Sequence, residues 1–194
     1  MNTAVRAGKQ EKPVSGLEVW GKTIGVIWTG RIGKGVVQRA AGFNMNILAN
    51  DAYPDHAFLE RFGGQYVDLD RIYREADFIT IHAPLTDTTN NMINERVLSM
   101  MKPTAVLINA ARGGIVDEAA LYMALKEHWI YGAALDATEI EPACGSPLAL
   151  LDNCILTPHA GAATREASLK MGLLAAQNVI DVLRGKKCQY IVNE

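Results

Sequence analysis

Six short, charge-free apolar runs separated by stretches of helical period constrain this chain most. The runs are Thr23–Trp28, Met45–Ala49, Phe78–Ile81, Ala105–Asn109, Ile130–Leu135 and Cys154–Thr157. Unbroken runs of that length suit parallel strands buried on both faces. A glycine-bearing turn after Trp28 opens a helical stretch to about Ala41. Asp68–Arg74, Asp117–Glu127 and Thr164–Arg184 are helical too, the last one amphipathic and ended by Gly185 as its cap. Asp117 and Glu118 are expected in the first turn of their helix, where a negative charge complements the dipole. Strand and helix alternate with short connections, which implies right-handed crossovers. The fold class is α/β: a doubly wound, mainly parallel sheet with helices on both faces.

The chain has 194 residues, 49% of them hydrophobic. That suffices for one large domain burying about 70% of its unfolded surface. Residues 1–20, broken by Pro13 and Gly16, are expected to form a lead-in. The domain proper is expected over 21–187, with a tail at 188–194. A formal net charge of −2 offers no field for nucleic acid or an anionic membrane. No apolar run approaches the ~20 residues of a membrane span, and the N-terminus lacks the apolar core of a signal peptide. Cys144, Cys154 and Cys188 form no CxxC pair, so neither a disulfide framework nor a zinc site is expected. The expected compartment is the cytoplasm.

The turn after the first strand reads Trp28-Thr29-Gly30-Arg31-Ile32-Gly33. It matches the last two glycines of the G-x-G-x-x-G dinucleotide fingerprint of Rossmann domains. Gly30 lets the backbone approach a pyrophosphate, and Gly33 lets helix and strand pack closely. The amides beyond Gly30 are then free for phosphate oxygens. Asp51 ends the second strand, where an acid can accept both ribose hydroxyls and favours NAD over NADP. Trp28 stands where the first glycine belongs. Its indole is expected to take cofactor space, to force the turn open, or simply to pack as a large strand end.

Three later segments each begin at the C-terminal end of an expected strand, the edge where open α/β sheets bind ligands. They run from Asn109 to Glu118, from Ala134 to Pro142 and from Thr157 to Gly161, and they carry Arg112, Glu141 and His159. This set suits a 2-oxo acid. Arg112 can clamp a carboxylate or polarise the carbonyl by paired hydrogen bonds. His159 can donate a proton to the carbonyl oxygen, and Glu141 can orient the imidazole and favour its charged form. His56 and His128 lack such company and are expected at the surface; His82 is expected to be structural or to line the cleft. Met92, Met100 and Met101 are expected in the core.

With His82-Ala83-Pro84-Leu85-Thr86 and the run from Gly21 to Gly33, these segments resemble the nucleotide-binding domain of D-isomer-specific 2-hydroxyacid dehydrogenases, nearest to the phosphoglycerate dehydrogenase branch. The resemblance covers about residues 21–185. It implies that Arg112 binds substrate, that His159 is the acid/base and that Glu141 is its partner. It further implies that Gly30, Arg31, Ile32 and Gly33 line the pyrophosphate of NAD and that Asp51 holds the adenosine ribose. Pro84 would border the adenine side and Asp136 would bond the nicotinamide carboxamide.

The resemblance also implies a second, substrate-holding domain, expected to lie outside this chain. Without it the cleft does not close, and hydride transfer loses positioning and desolvation. Thr138 replaces a usual aromatic ring, and Met123 and Trp129 stand where polar or small residues are usual. Two readings follow. One is an excised NAD domain whose cofactor affinity Trp28 makes weak or absent. The other is a binding module or engineered scaffold with a remodelled cleft and an altered partner surface. A homodimer through this domain, or a protein or ligand partner of such a module, is the expected assembly. New hydrolytic chemistry from Cys144, Cys154 or Ser146 near His159 has no spacing rule behind it.

Overall fold

The structure, a computed structural model, describes residues 6–8, 16–188 and 190. The parts of the lead-in at 1–5 and 9–15 and of the tail at 189 and 191–194 lie outside the described residues. Seven strands form one parallel sheet: β1 Thr23–Ile27, β2 Asn46–Asn50, β3 Gln65–Tyr66, β4 Phe78–Ile81, β5 Val106–Asn109, β6 Gly132–Leu135 and β7 Cys154–Leu156. Their order is β3-β2-β1-β4-β5-β6-β7. The chain winds outward from β1 to β3, returns to β4 beside β1, and winds outward the other way. This is the doubly wound α/β architecture, and its switch point lies between β1 and β4. The loops after those two strands therefore flank the crevice where such sheets take ligands.

The helices are α1 Arg31–Gly42, α2 His56–Glu60, α3 Leu69–Glu75, α4 Glu95–Met100, α5 Glu118–Lys126 and α6 Arg165–Leu183, with a 3₁₀ turn at Pro147–Leu150. The strand pattern explains how they sort. Ile24 and Val26 point into a cluster with Val37 and Ala40 of α1 and Phe58 and Leu59 of α2. Ile27, one residue out of phase, points into a larger cluster with Ile72, Ile79, Ile81, Leu98, Leu107, Leu121 and Leu125, as the two-residue period of a strand requires. Thus α1 and α2 cover one face over β1–β3, and α3, α4 and α5 cover the other. Met101 is buried in this larger cluster, and Met92 and Met100 pack on it half-buried, so the three are core residues.

The structure shifts several expected ends by a residue or two. Asp117 is not within the first turn of α5 but caps it, its side chain accepting from the Ala120 amide. Helices α2 and α4 and the two-residue β3 were not expected from periodicity, since each is too short to show one. On the face that carries α1, the strands β5–β7 remain open. Val106, Ala134 and Ile155 line a cavity of about 530 Å³ there. Helix α6 contributes no buried residue; Leu169, Leu173, Ile180 and Leu183 are all exposed. Among the described residues no helix is long and apolar enough to cross a membrane.

Candidate nucleotide and acid-base site

All seven strands are parallel, so the segments that follow them share one edge. Thr29 and Gly30 follow β1, Asp51 follows β2, His82–Pro84 follow β4, Arg112 follows β5, Asp136 follows β6 and His159 follows β7. Every residue expected at the site thus stands on the C-terminal edge of the sheet or, like Glu141, on a loop that leaves it.

Trp28 has φ 71. That left-handed conformation costs a residue with a side chain about 1–2 kcal/mol, and it is the conformation a glycine would supply freely. The turn is therefore not forced open: tryptophan adopts the glycine geometry. A Cβ added at Gly33 would lie 2.1 Å from the Trp28 carbonyl oxygen, so the close approach of helix and strand is intact. The indole is half-buried and packs on the larger core cluster at this edge. Trp129 is also half-buried against that cluster, whereas Met123 is exposed.

Helix α1 begins at Gly30, which provides no side-chain cap. Helices α2–α6 and the 3₁₀ turn each carry one: Asp55, Asp68, Asn94, Asp117, Ser146 and Thr164 each accept from a first-turn amide. The first amides of α1 are left without a protein partner of that kind. Nothing lies within 4 Å of a Cβ added at Gly30. Arg31 and Ile32 are exposed beside it. A cation at a helix N-terminus opposes the dipole unless an anion joins it.

The Asp51 carboxylate faces this turn. Its Oδ2 accepts from the Thr29 amide at 2.6 Å and from Thr29 Oγ1 at 2.9 Å, and its Oδ1 accepts from the Tyr53 amide at 2.9 Å. Tyr66 Oη lies 2.7 Å from Thr29 Oγ1 and accepts from the Asp55 amide at 3.1 Å. Lys34 pairs with Asp55 and, with the Phe58 amide, holds the Asp55 carboxyl below its usual range. Thr29 and Tyr66 were missed by the sequence reading. The signal available was a hydroxyl between Trp28 and Gly30.

At β4 the His82 amide donates to Ile27 at 2.9 Å, joining the two loops at the switch point. Its ring reaches Thr80 Oγ1 at 3.0 Å through Nε2, while Nδ1 is buried with no partner among the described residues. Burial holds the His82 imidazole below its usual pKa. Pro84 is exposed, and its carbonyl accepts from Thr89 Oγ1. His56 and His128 are exposed, as expected.

The loops after β5, β6 and β7 are held by hydrogen bonds and a close backbone approach at their base. Asn109 takes the Ala111 amide at 3.1 Å and donates to the Arg112 carbonyl at 2.8 Å, curling the chain so that Arg112 is exposed. A Cβ at Gly113 would lie 2.0 Å from the Thr138 carbonyl oxygen, so this loop rests on the one after β6. Asp136 accepts from Thr157 Oγ1, from the Ala160 amide at 2.8 Å and from the Gly161 amide at 2.9 Å. Those bonds, the Thr157 hydroxyl first, hold its carboxyl below the usual range. His159 Nδ1 lies 3.0 Å from Glu141 Oε2 and 3.1 Å from Oε1. Asp136, Thr157, His159 and Glu141 line one cavity of about 300 Å³, together with Thr138 and Pro142. Arg112 does not line it; its guanidinium turns back on the Ala111 carbonyl at 2.7 Å. Among the described residues no group of three or more His, Cys, Asp and Glu could hold a metal ion.

Comparison with known proteins gives the family. The profile described as D-isomer specific 2-hydroxyacid dehydrogenase, NAD binding domain, matches residues 1–161. A D-3-phosphoglycerate dehydrogenase of Methanocaldococcus jannaschii is 46% identical over 94% of this chain and 35% of its own length. A glyoxylate reductase of Pyrococcus furiosus is 46% identical over 92% of this chain and 53% of its own length. The crystal structure of D-lactate dehydrogenase with NAD+ from Lactobacillus jensenii superposes with a TM-score of 0.87 at 32% identity, covering 100% of this chain and 62% of that one. The chain thus spans between about a third and two thirds of these relatives. It belongs to the D-isomer specific 2-hydroxyacid dehydrogenase family, whose NAD-binding domain it carries.

Proposed function

We propose that this domain binds NAD with an affinity that Trp28 reduces, and that it turns over 2-hydroxy or 2-oxo acids little or not at all by itself. The start of α1 at Gly30, without a side-chain cap, carries this reading, because α2–α6 and the 3₁₀ turn are each capped by their own residues. The amides from Gly30 to Gly33, beside Arg31, would hold the pyrophosphate. Asp51 takes the adenosine ribose, Pro84 borders the adenine, and Asp136 faces the nicotinamide carboxamide. A bulky indole at the corner where the turn is tightest weakens that grip.

When bound, the nicotinamide supplies or accepts the hydride. His159 moves the proton of the reacting oxygen through Nε2, because Glu141 occupies Nδ1. Arg112 holds the substrate carboxylate once its guanidinium leaves the Ala111 carbonyl. His159 and Glu141 are exposed here. Charge developing at the oxygen therefore meets water rather than a closed, pre-organised site. The open face over β5–β7 and the apolar side of α6 are surfaces for a further domain, a second copy or another partner.

Calorimetric titration of NAD and NADP tests the reading. NAD binds in the micromolar to low-millimolar range, NADP binds more weakly, and Asp51→Ala weakens NAD. Equal binding of both cofactors, or indifference to Asp51→Ala, overturns it.

A further inference from the structure

The Thr29 hydroxyl has its only proton committed. A carboxylate is acceptor-only, so at 2.9 Å from Asp51 Oδ2 the hydroxyl must donate. Tyr66 Oη, 2.7 Å away, must then donate to Thr29 Oγ1, and it takes the Asp55 amide in return. The result is a one-way chain: Asp55 amide to Tyr66, Tyr66 to Thr29, Thr29 to Asp51. Thr29 is 3% exposed, so water does not compete for these bonds.

The inventory at Asp51 follows. A carboxylate has about four lone-pair sites. Oδ2 is filled by the Thr29 amide and hydroxyl, and Oδ1 has given one site to the Tyr53 amide. A single site remains, on Oδ1, among the described residues. Accepting two neighbouring ribose hydroxyls, one on each oxygen, needs two.

We infer that Thr29, through its hydroxyl, competes with the adenosine ribose for Asp51, so that the nucleotide is held at this carboxylate by one hydroxyl instead of two. Thr29 is thus a specificity-determining position inside the glycine turn. The inference rests on the NAD reading above.

The test is calorimetric titration with NAD and with its 2′-deoxyadenosine and 3′-deoxyadenosine analogues. It is run on the chain and on Thr29→Val, each with and without Trp28→Gly. Valine keeps the shape and frees one site on Oδ2. NAD binds Thr29→Val at least about tenfold more tightly, the effect of one more hydrogen bond to a charged group. In the parent at most one analogue binds less well than NAD; in Thr29→Val both do. Thr29→Ser, which keeps the hydroxyl, does not tighten. NAD bound with unchanged or lower affinity by Thr29→Val overturns this inference and leaves the NAD reading standing. No NAD binding in any of the four proteins overturns both.

Discussion

Asp51 and Thr29 are joined twice, amide and hydroxyl both donating to Oδ2 at 2.6 and 2.9 Å. The end of β2 is thereby fixed to the turn that opens α1, and Asp51 and the start of α1 form one hydrogen-bonded unit. The geometry of that unit also depends on Gly33, whose missing side chain lets the Trp28 carbonyl approach.

Gly33→Ala therefore strikes backbone. The added Cβ would lie 2.1 Å from the Trp28 oxygen and 3.0 Å from its carbonyl carbon. Relief needs the strand and helix to separate, which costs about 1–3 kcal/mol or more. Gly42→Ala, with nothing within 4 Å of the new Cβ, is the control and stays within about 0.5 kcal/mol. Urea unfolding measures both. Equal midpoints for the two variants would contradict the close approach.

The His82 ring gives stability a pH dependence. Burial depresses its folded pKa below the unfolded 6.5, so the unfolded chain binds the proton first. Stability from this residue is complete above pH 6.5 and falls as pH drops through the unfolded and then the folded value. Asp55, Asp77 and Asp136 have lowered pKa values, and their contributions are lost only at more acidic pH, through the carboxylate range. Denaturation midpoints at pH 7, 6 and 5 decline in the parent protein. In His82→Asn they decline less between pH 7 and 5. The same slope in both would show that His82 is not held neutral.

Asp136 organises the segment that presents His159. Its oxygens take the Ala160 and Gly161 amides, so Asp136→Ala frees them. Hydrogen exchange at those two amides speeds up severalfold, while exchange in β1 and β4 is unchanged because the segment is peripheral to the core. Unchanged exchange at Ala160 would mean that Asp136 does not hold the loop.

Helix α6 carries apolar side chains that no part of the domain covers, Leu169 and Leu173 being 63% and 62% exposed. Leu169→Gln and Leu173→Gln each change domain stability by less than about 0.5 kcal/mol. Ile81→Ala, at a fully buried position of β4, costs about 2–5 kcal/mol. Thermal unfolding of the three variants distinguishes them. A loss at Leu173 comparable to that at Ile81 would show the helix packed.

Six of the seven strands were legible because each lies in a short apolar run free of charge; the two-residue β3 was not. Phe78–Ile81 was read to the residue, its neighbours to within one or two. Helix α2, His56–Glu60, escaped because five residues cannot display a 3.6-residue period. The Asp55 cap was its only sequence signal. At the site, the edge-wise convergence of Asp51, Asp136 and His159 followed from strand order alone. The Glu141–His159 pair was read from the chemistry of an acid and an imidazole on segments that follow neighbouring strands, and their Nδ1–Oε contact bears out the pairing. Thr29 and Tyr66 were not legible: their importance arises from contacts between residues 37 apart in the chain. Trp28 was legible as an anomaly, and of the outcomes offered for it the structure shows the indole packed on the core at the strand end, with the turn not forced open. Sterics allow a non-glycine residue into the left-handed region at a cost of about 1–2 kcal/mol, and the turn takes that option instead of opening.

The proposed role of the start of α1 is to cradle phosphate, with the Trp28 indole narrowing it. Calorimetric titration of NAD into the chain and into Trp28→Gly reads it most directly. Binding in both, about tenfold tighter in Trp28→Gly (about 1.4 kcal/mol), is the predicted result. Two folded proteins with no binding, or the same affinity in both, would contradict it.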